Sequence, residues 1–211
     1  MVILHSLSLL VVLLALVAFS TSRSEELNYS NHKGSSIAIS GFTNLDNWRM
    51  EADSIRCNGS FVFLDGELED ISSLNFTTDV TSLKSSNTQM DSLVYQILSA
   101  KGGRAITFVQ THQMVLPRMH MVNIIGNLTI ANTTQRIDLQ LGYTIGKDKE
   151  LHFKGLKKID LTEFSITTSH PLLKAVKFDN QVLVQIEMTL KGSVVSNLNP
   201  KNTLVVGTKH F

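Results

Sequence analysis

Two alternating runs joined by a short polar break constrain this chain more than anything else in it. Residues 124–130 read Ile-Ile-Gly-Asn-Leu-Thr-Ile and residues 135–145 read Gln-Arg-Ile-Asp-Leu-Gln-Leu-Gly-Tyr-Thr-Ile, with Ala131, Asn132, Thr133 and Thr134 between them. In the first arm Ile124, Leu128 and Ile130 share one parity, opposite to Asn127 and Thr129. In the second, Ile137, Leu139, Leu141, Tyr143 and Ile145 alternate with Arg136, Asp138 and Gln140. Side chains of a strand point to opposite faces in turn, so a period of two gives each arm one apolar and one wet face. The pair is an antiparallel hairpin with one side committed to an interior.

The same period recurs along the chain. Residues 36–41 alternate weakly, residues 55–64 carry Phe61 and Phe63 before an Asp65-Gly66 turn, and Leu74, Phe76, Thr78 and Val80 follow on one parity. Further strands are expected over 105–110, 150–155, 158–161 and 181–190, the last with Val182, Val184, Ile186, Met188 and Leu190 in strict register. Residues 23–34 are polar and read as a lead-in, and the tail 192–211 has no clear pattern. Trp48 follows an Asn/Asp turn signal and is expected to cap the end of a core. Only residues 86–100 change period: Met90, Leu93, Val94, Ile97 and Leu98 are spaced by three and four, Asn87 or Thr88 can cap the helix, and Gly102-Gly103 ends it. About eight strands with turn signals between them argue for an all-β antiparallel barrel or sandwich, with the one short helix as its lid or plug.

Hydrophobic residues make up 43% and charged residues 18% of the chain, enough for a packed core with Cys57 as the single cysteine and hence no disulfide pair. A net charge of +1 lacks the dense cationic footprint that nucleic acid requires. Residues 1–22 contain no Asp, Glu, Lys or Arg and run apolar from Leu9 to Phe19. That length suits a signal peptide cleaved after about Ser20, with an uncleaved anchor as the alternative. Export to a periplasm or the medium is the expectation. Five Asn-x-Ser/Thr sequons, at Asn28, Asn58, Asn75, Asn127 and Asn132, would carry glycans only in a eukaryotic secretory path.

Chemistry-bearing patterns are sparse. His112 and His120 bracket Met114 and Met119, and His152 and His170 are scattered, without the spacing of a metal site. There is no Gly-x-Ser-x-Gly elbow around a serine nucleophile. Catalytic and metal-ligating residues are therefore expected to be none, with no resident cofactor. If the barrel were an enzyme acting on a lipid or quinone, His112 or Glu163 would be its acid/base candidates. Lys154, Lys157 and Lys158 could meet an anionic head group at a barrel mouth, although a charge run is usually a solvated face.

Several stretches, in order, resemble the YceI-like family of exported, polyisoprenoid-binding barrel proteins. They are Gly41-Phe42-Thr43-Asn44-Leu45-Asp46-Asn47-Trp48-Arg49-Met50, then Val80-Thr81-Ser82-Leu83-Lys84-Ser85 with Met90-Asp91 and the helix. Ile106-Thr107-Phe108, Gly126-Asn127-Leu128-Thr129-Ile130 and Lys157-Lys158-Ile159-Asp160-Leu161-Thr162-Glu163-Phe164 complete the likeness, which spans roughly residues 35–191. Two places depart from the family pattern: its hairpin turn usually carries a glycine where Ala131-Asn132 stand, so Asn132 would take any positive φ, and its Tyr-Pro before the Ile106 strand is replaced by Gly102-Gly103.

The resemblance implies a lipocalin-like eight-stranded barrel that holds a long-chain isoprenoid, a quinone or a similar apolar ligand, as a non-enzymatic carrier or sequestering protein. On the residues alone, the inward phenylalanines close a dry structural core as readily as they line a cavity. The family directs the reading to a cavity lined by Phe61, Phe63, Phe76, Phe108, Leu128, Leu139, Leu141 and Phe153. Transient membrane contact and a homodimer are the further partners compatible with it.

Overall fold

The structure is a computed structural model and describes residues 23–100, 102–166 and 178–192. The expected signal segment, His170 and the tail beyond Gly192 lie outside the described residues. Eleven strands and one α-helix follow in order: β1 (Ser24–Asn31), β2 (Ser36–Phe42), β3 (Asn47–Ala52), β4 (Arg56–Leu64), β5 (Glu67–Asp79), β6 (Leu83–Lys84), α1 (Thr88–Ser99), β7 (Ala105–Leu116), β8 (Met121–Ile130), β9 (Thr133–Ile145), β10 (Leu151–Asp160) and β11 (Gln181–Gly192).

Eight of them close an antiparallel barrel in the order β1-β4-β5-β7-β8-β9-β10-β11, with β1 returning to β11 through Tyr29–Gly192, Ser30–Lys191 and Asn31–Leu190. Strands β2, β3 and β6 continue from the same edge of β11, where β2 pairs over Leu183–Glu187. A closed sheet removes the exposed edges that otherwise template aggregation.

The central hairpin has the expected form, pairing β8 with β9 from Ile130–Thr133 to Met121–Gly142. The polar lead-in does not: residues 24–31 form β1, the strand that shuts the barrel. Ser24, Glu26, Asn28 and Ser30 cover the outer face, while Leu27 packs against the core and Tyr29 is buried in it. The Tyr29 hydroxyl donates to the Lys149 carbonyl at 2.9 Å, and burial pushes the phenol up to about 12. Strand β10 also differs from expectation, running unbroken through Leu156 and Lys157 because β11 pairs with every residue of it.

Helix α1 begins where its cap predicts. The Asn87 side-chain oxygen accepts from the backbone N–H groups of Gln89 at 2.9 Å and Met90 at 3.2 Å. Asp91 in the first turn is buried, and its Oδ1 accepts from the backbone N–H of Ser85 at 2.8 Å and its hydroxyl at 2.6 Å. These bonds anchor the helix to the segment that leads into it.

The two departures from the family pattern meet in space. Both turn residues of the β8–β9 hairpin are left-handed, Ala131 at φ 48° and Asn132 at φ 62°, as a two-residue turn of the I′ type requires. Asn132 tolerates this conformation; Ala131 holds it because it is almost fully buried. Above it lies Gly103, where a Cβ would stand 2.6 Å from the Ala131 Cα. Glycine at 103 is thus required by the approach of two backbones. The Gly103→Ala variant is expected to lose about 1–3 kcal/mol of stability by overpacking. Chemical denaturation checks this, and a loss under about 0.5 kcal/mol would sink the argument.

Buried residues form two clusters. One, around Tyr29, Phe61, Phe63, Leu68, Ile71 and Tyr143, fills the barrel end away from the helix. The other joins Met50, Val80, Leu83, Leu98, Ile130, Ile159, Phe164 and Val182 with the apolar face of α1.

Candidate functional site

Inward parity and the position of α1 together build an apolar space. A cavity of about 240 Å³ runs from the middle of the barrel to the inner face of the helix. Strands β4, β5, β7, β8 and β9 supply Cys57, Leu74, Phe76, Ile106, Phe108, Ile124, Leu128, Ile130, Ile137, Leu139 and Leu141. The opposite wall comes from Ile37 and Ile39 of β2, Phe153 and Ile159 of β10, and Val182, Val184, Ile186, Met188 and Leu190 of β11. Met90, Leu93, Val94, Ile97 and Leu98 roof it from α1. The helix is the lid that its period announced.

Six residues expected to face a ligand therefore line the cavity: Phe76, Phe108, Leu128, Leu139, Leu141 and Phe153. Phe61 and Phe63 stand elsewhere. Both are fully buried in the far end, with ring centroids 5.1 and 6.1 Å from Tyr29. Their parity is inward, but at that level rings from opposite walls meet and leave no space; Phe61 lies 6.0 Å from Phe153.

Polar groups in the lining are few. Thr78 is satisfied, donating to the Ser54 carbonyl at 2.7 Å and bonded to the Ser82 hydroxyl at 2.8 Å. Burial pushes the Cys57 thiol up to about 12, so little nucleophilic thiolate exists at neutral pH. Among the described residues Lys157 is the one charged member of the lining; its stem borders the cavity and its Nζ lies 2.8 Å from Asp138 Oδ1. That ammonium holds the Asp138 carboxyl below its ordinary range.

Sequence reasoning missed the role of Trp48, which lies over Gly41 and forms part of the lining. A Cβ at Gly41 would stand 2.6 Å from the indole ring, and the buried indole N–H has no hydrogen-bond partner. The Gly41–Trp48 register, set by the β2–β3 hairpin, was the signal that could have found it.

The acid/base candidates lie outside the cavity. His112 is exposed beside a bulge in β7, and Glu163 is exposed in the 3₁₀ turn after β10, where its backbone carbonyl accepts from Gln135. Among the described residues no group of three His, Cys, Asp or Glu side chains is placed to hold a metal ion.

Known structures share this architecture. A polyisoprenoid-binding domain from Saccharophagus degradans, implicated in plant cell wall breakdown, superposes with a TM-score of 0.61 at 12% identity, covering 79% of this chain and 99% of that one. BcnA of Burkholderia cenocepacia gives 0.60 at 17% identity, covering 74% and 94% of the two chains. The YCEI protein of Campylobacter jejuni gives 0.54 at 21%, covering 67% and 82%. At these identities the likeness speaks for the fold. No curated protein matches the chain. The YceI-like domain matches residues 28–190 in sequence, a span that runs from the second half of β1 to near the end of β11, and the chain belongs to that family.

Proposed function

We propose that this chain is an exported carrier or sequestering protein that holds the tail of a long-chain isoprenoid, a quinone or a similar lipid inside its barrel. The observation that carries the reading is the 240 Å³ cavity with an almost wholly apolar wall. An apolar cavity of about 150 Å³ in another protein stays dry and binds benzene, so a space of this kind has affinity for hydrocarbon without further design. Burying a CH₂ is worth roughly 0.8 kcal/mol, and an isoprene unit on the order of 3 kcal/mol before ordering costs. The similar domain from Saccharophagus degradans is polyisoprenoid-binding, which supports this ligand class.

Binding is favoured over catalysis because His112 and Glu163 do not line the cavity. The space itself weighs against a dry structural module. Loading from a membrane is supported by the β2–β3 turn beside Trp48, where Phe42 is 62% and Leu45 74% exposed: a hydrocarbon tail handed over at a bilayer avoids crossing water. Export rests on residues 1–22.

Native mass spectrometry of the protein from an exporting host, with organic extraction of any adduct, tests the reading. A stoichiometric adduct extracting as a polyprenyl or quinone species is expected, on a protein lacking about its first twenty residues. A bare mass that persists after incubation with such lipids would overturn it.

A further inference from the structure

The barrel wall is continuous in backbone pairing on both sides of β9 and β10 but not between them. Strand β9 pairs with β8 over residues 133–142, and β10 pairs with β11 over its whole length. Between β9 and β10 the ladder covers only Ile145–Leu151, Thr144–His152, Tyr143–Phe153 and Gly142–Lys154. Just beyond it Gly155 still packs closely against Gln140 and Leu141, and from there residues 133–139 of β9 and 156–160 of β10 carry no strand pairing with each other. This seam borders the cavity: Ile137 and Leu139 line it from one side, Lys157 and Ile159 from the other.

Among the described residues, two side-chain contacts bridge the seam. Lys157 Nζ meets Asp138 Oδ1 at 2.8 Å, and Gln135 Nε2 donates to the Glu163 carbonyl at 2.7 Å. Lys157 stands on the inward parity of β10, with Phe153 and Ile159, yet its ammonium turns outward to a carboxylate on the outer face of β9. The pair is solvent-accessible, with side chains 25% and 56% exposed, and an ion pair of this kind is readily exchanged for a stronger partner. A phosphate or carboxylate on a lipid offers that partner at the place where an apolar tail would pass inward.

We propose that the unpaired β9–β10 seam is the lateral port of the cavity, and that Lys157 leaves Asp138 to hold the anionic head of an amphiphile whose tail lies inside. The proposal rests on the cavity reading above and adds to it the route and the head-group chemistry. A carboxylate and a phosphate share that chemistry; their relative affinities separate the two sources.

The test compares a prenyl alcohol, the prenyl phosphate of equal chain length and a fatty acid on the wild type, Lys157→Met and Asp138→Asn. Lys157→Met keeps an apolar stem in the lining and is expected to weaken phosphate or fatty-acid binding by about tenfold or more beyond any change in alcohol binding. Asp138→Asn frees the ammonium and is expected to strengthen anion binding. Alcohol binding with no anion-specific loss in Lys157→Met, or an equal loss in both variants, would overturn the head-group assignment. Failure of every ligand to bind the wild type would overturn the cavity reading and the port together.

For the route, a short bismaleimide joining cysteines placed by Gln135→Cys and Glu163→Cys ties the seam shut, with buried Cys57 protected by its raised pKa. Association of the prenyl alcohol is expected to slow by about tenfold; an unchanged rate would move entry to the helix end of the barrel.

Discussion

Leu139→Trp is expected to weaken binding of a prenyl alcohol by more than about 100-fold with little change in stability. Leu139 projects into the cavity from the middle of β9, and its register partner Ile124 lines the same wall. An indole there occupies space otherwise open to the ligand. Excluding one isoprene unit forfeits on the order of 3 kcal/mol, and each 1.4 kcal/mol is about tenfold in affinity. Overpacking is costly in a filled core, but here the added atoms enter a void. Calorimetric or fluorescence titration beside a thermal melt reads both sides of the claim. Affinity within about threefold of wild type, in a protein that melts normally, would mean that the cavity is not where the tail lies.

Phe61→Ala is expected to destabilise the fold by about 3–5 kcal/mol, the cost of truncating a packed phenylalanine. Phe61 has no exposed surface, and its ring meets Tyr29 edge-on at 5.1 Å and Phe153 at 6.0 Å. Its neighbours there are packed rings, so the truncation leaves a new void among them. Against a total stability of about 5–15 kcal/mol, such a change removes a large fraction. The same truncation at Phe76, partly exposed toward the existing cavity, is expected to cost clearly less. Urea denaturation of the two variants separates them. Equal costs would show that the packed end and the open end of the barrel are not energetically distinct.

The contrast between Phe61 and Phe76 also marks the limit of the sequence. Both were legible as inward residues of adjoining strands, because parity follows from the two-residue repeat of an extended chain. Nothing local says that one meets rings from across the barrel and the other meets space. The Asn87 cap, the apolar face of α1 and the β8–β9 hairpin were read correctly because each is written within a dozen or so neighbouring residues. Strand β1 was misread for the complementary reason: half of its residues face solvent, and the value of Tyr29 depends on a partner strand 160 positions away, as in the Tyr29–Gly192 and Ser30–Lys191 pairs.

The sequence by itself therefore determined most of the strands, their inner and outer faces, the one helix and the all-β class, since these are set by periodicity, caps and turns. Only the tertiary structure decided which inward residues enclose a cavity, that Trp48 borders it, that β1 closes the ring and that β9 and β10 part beside Lys157. Those features depend on register and on side-chain volumes brought together from opposite walls, and such non-local sums leave no pattern in any single stretch of chain.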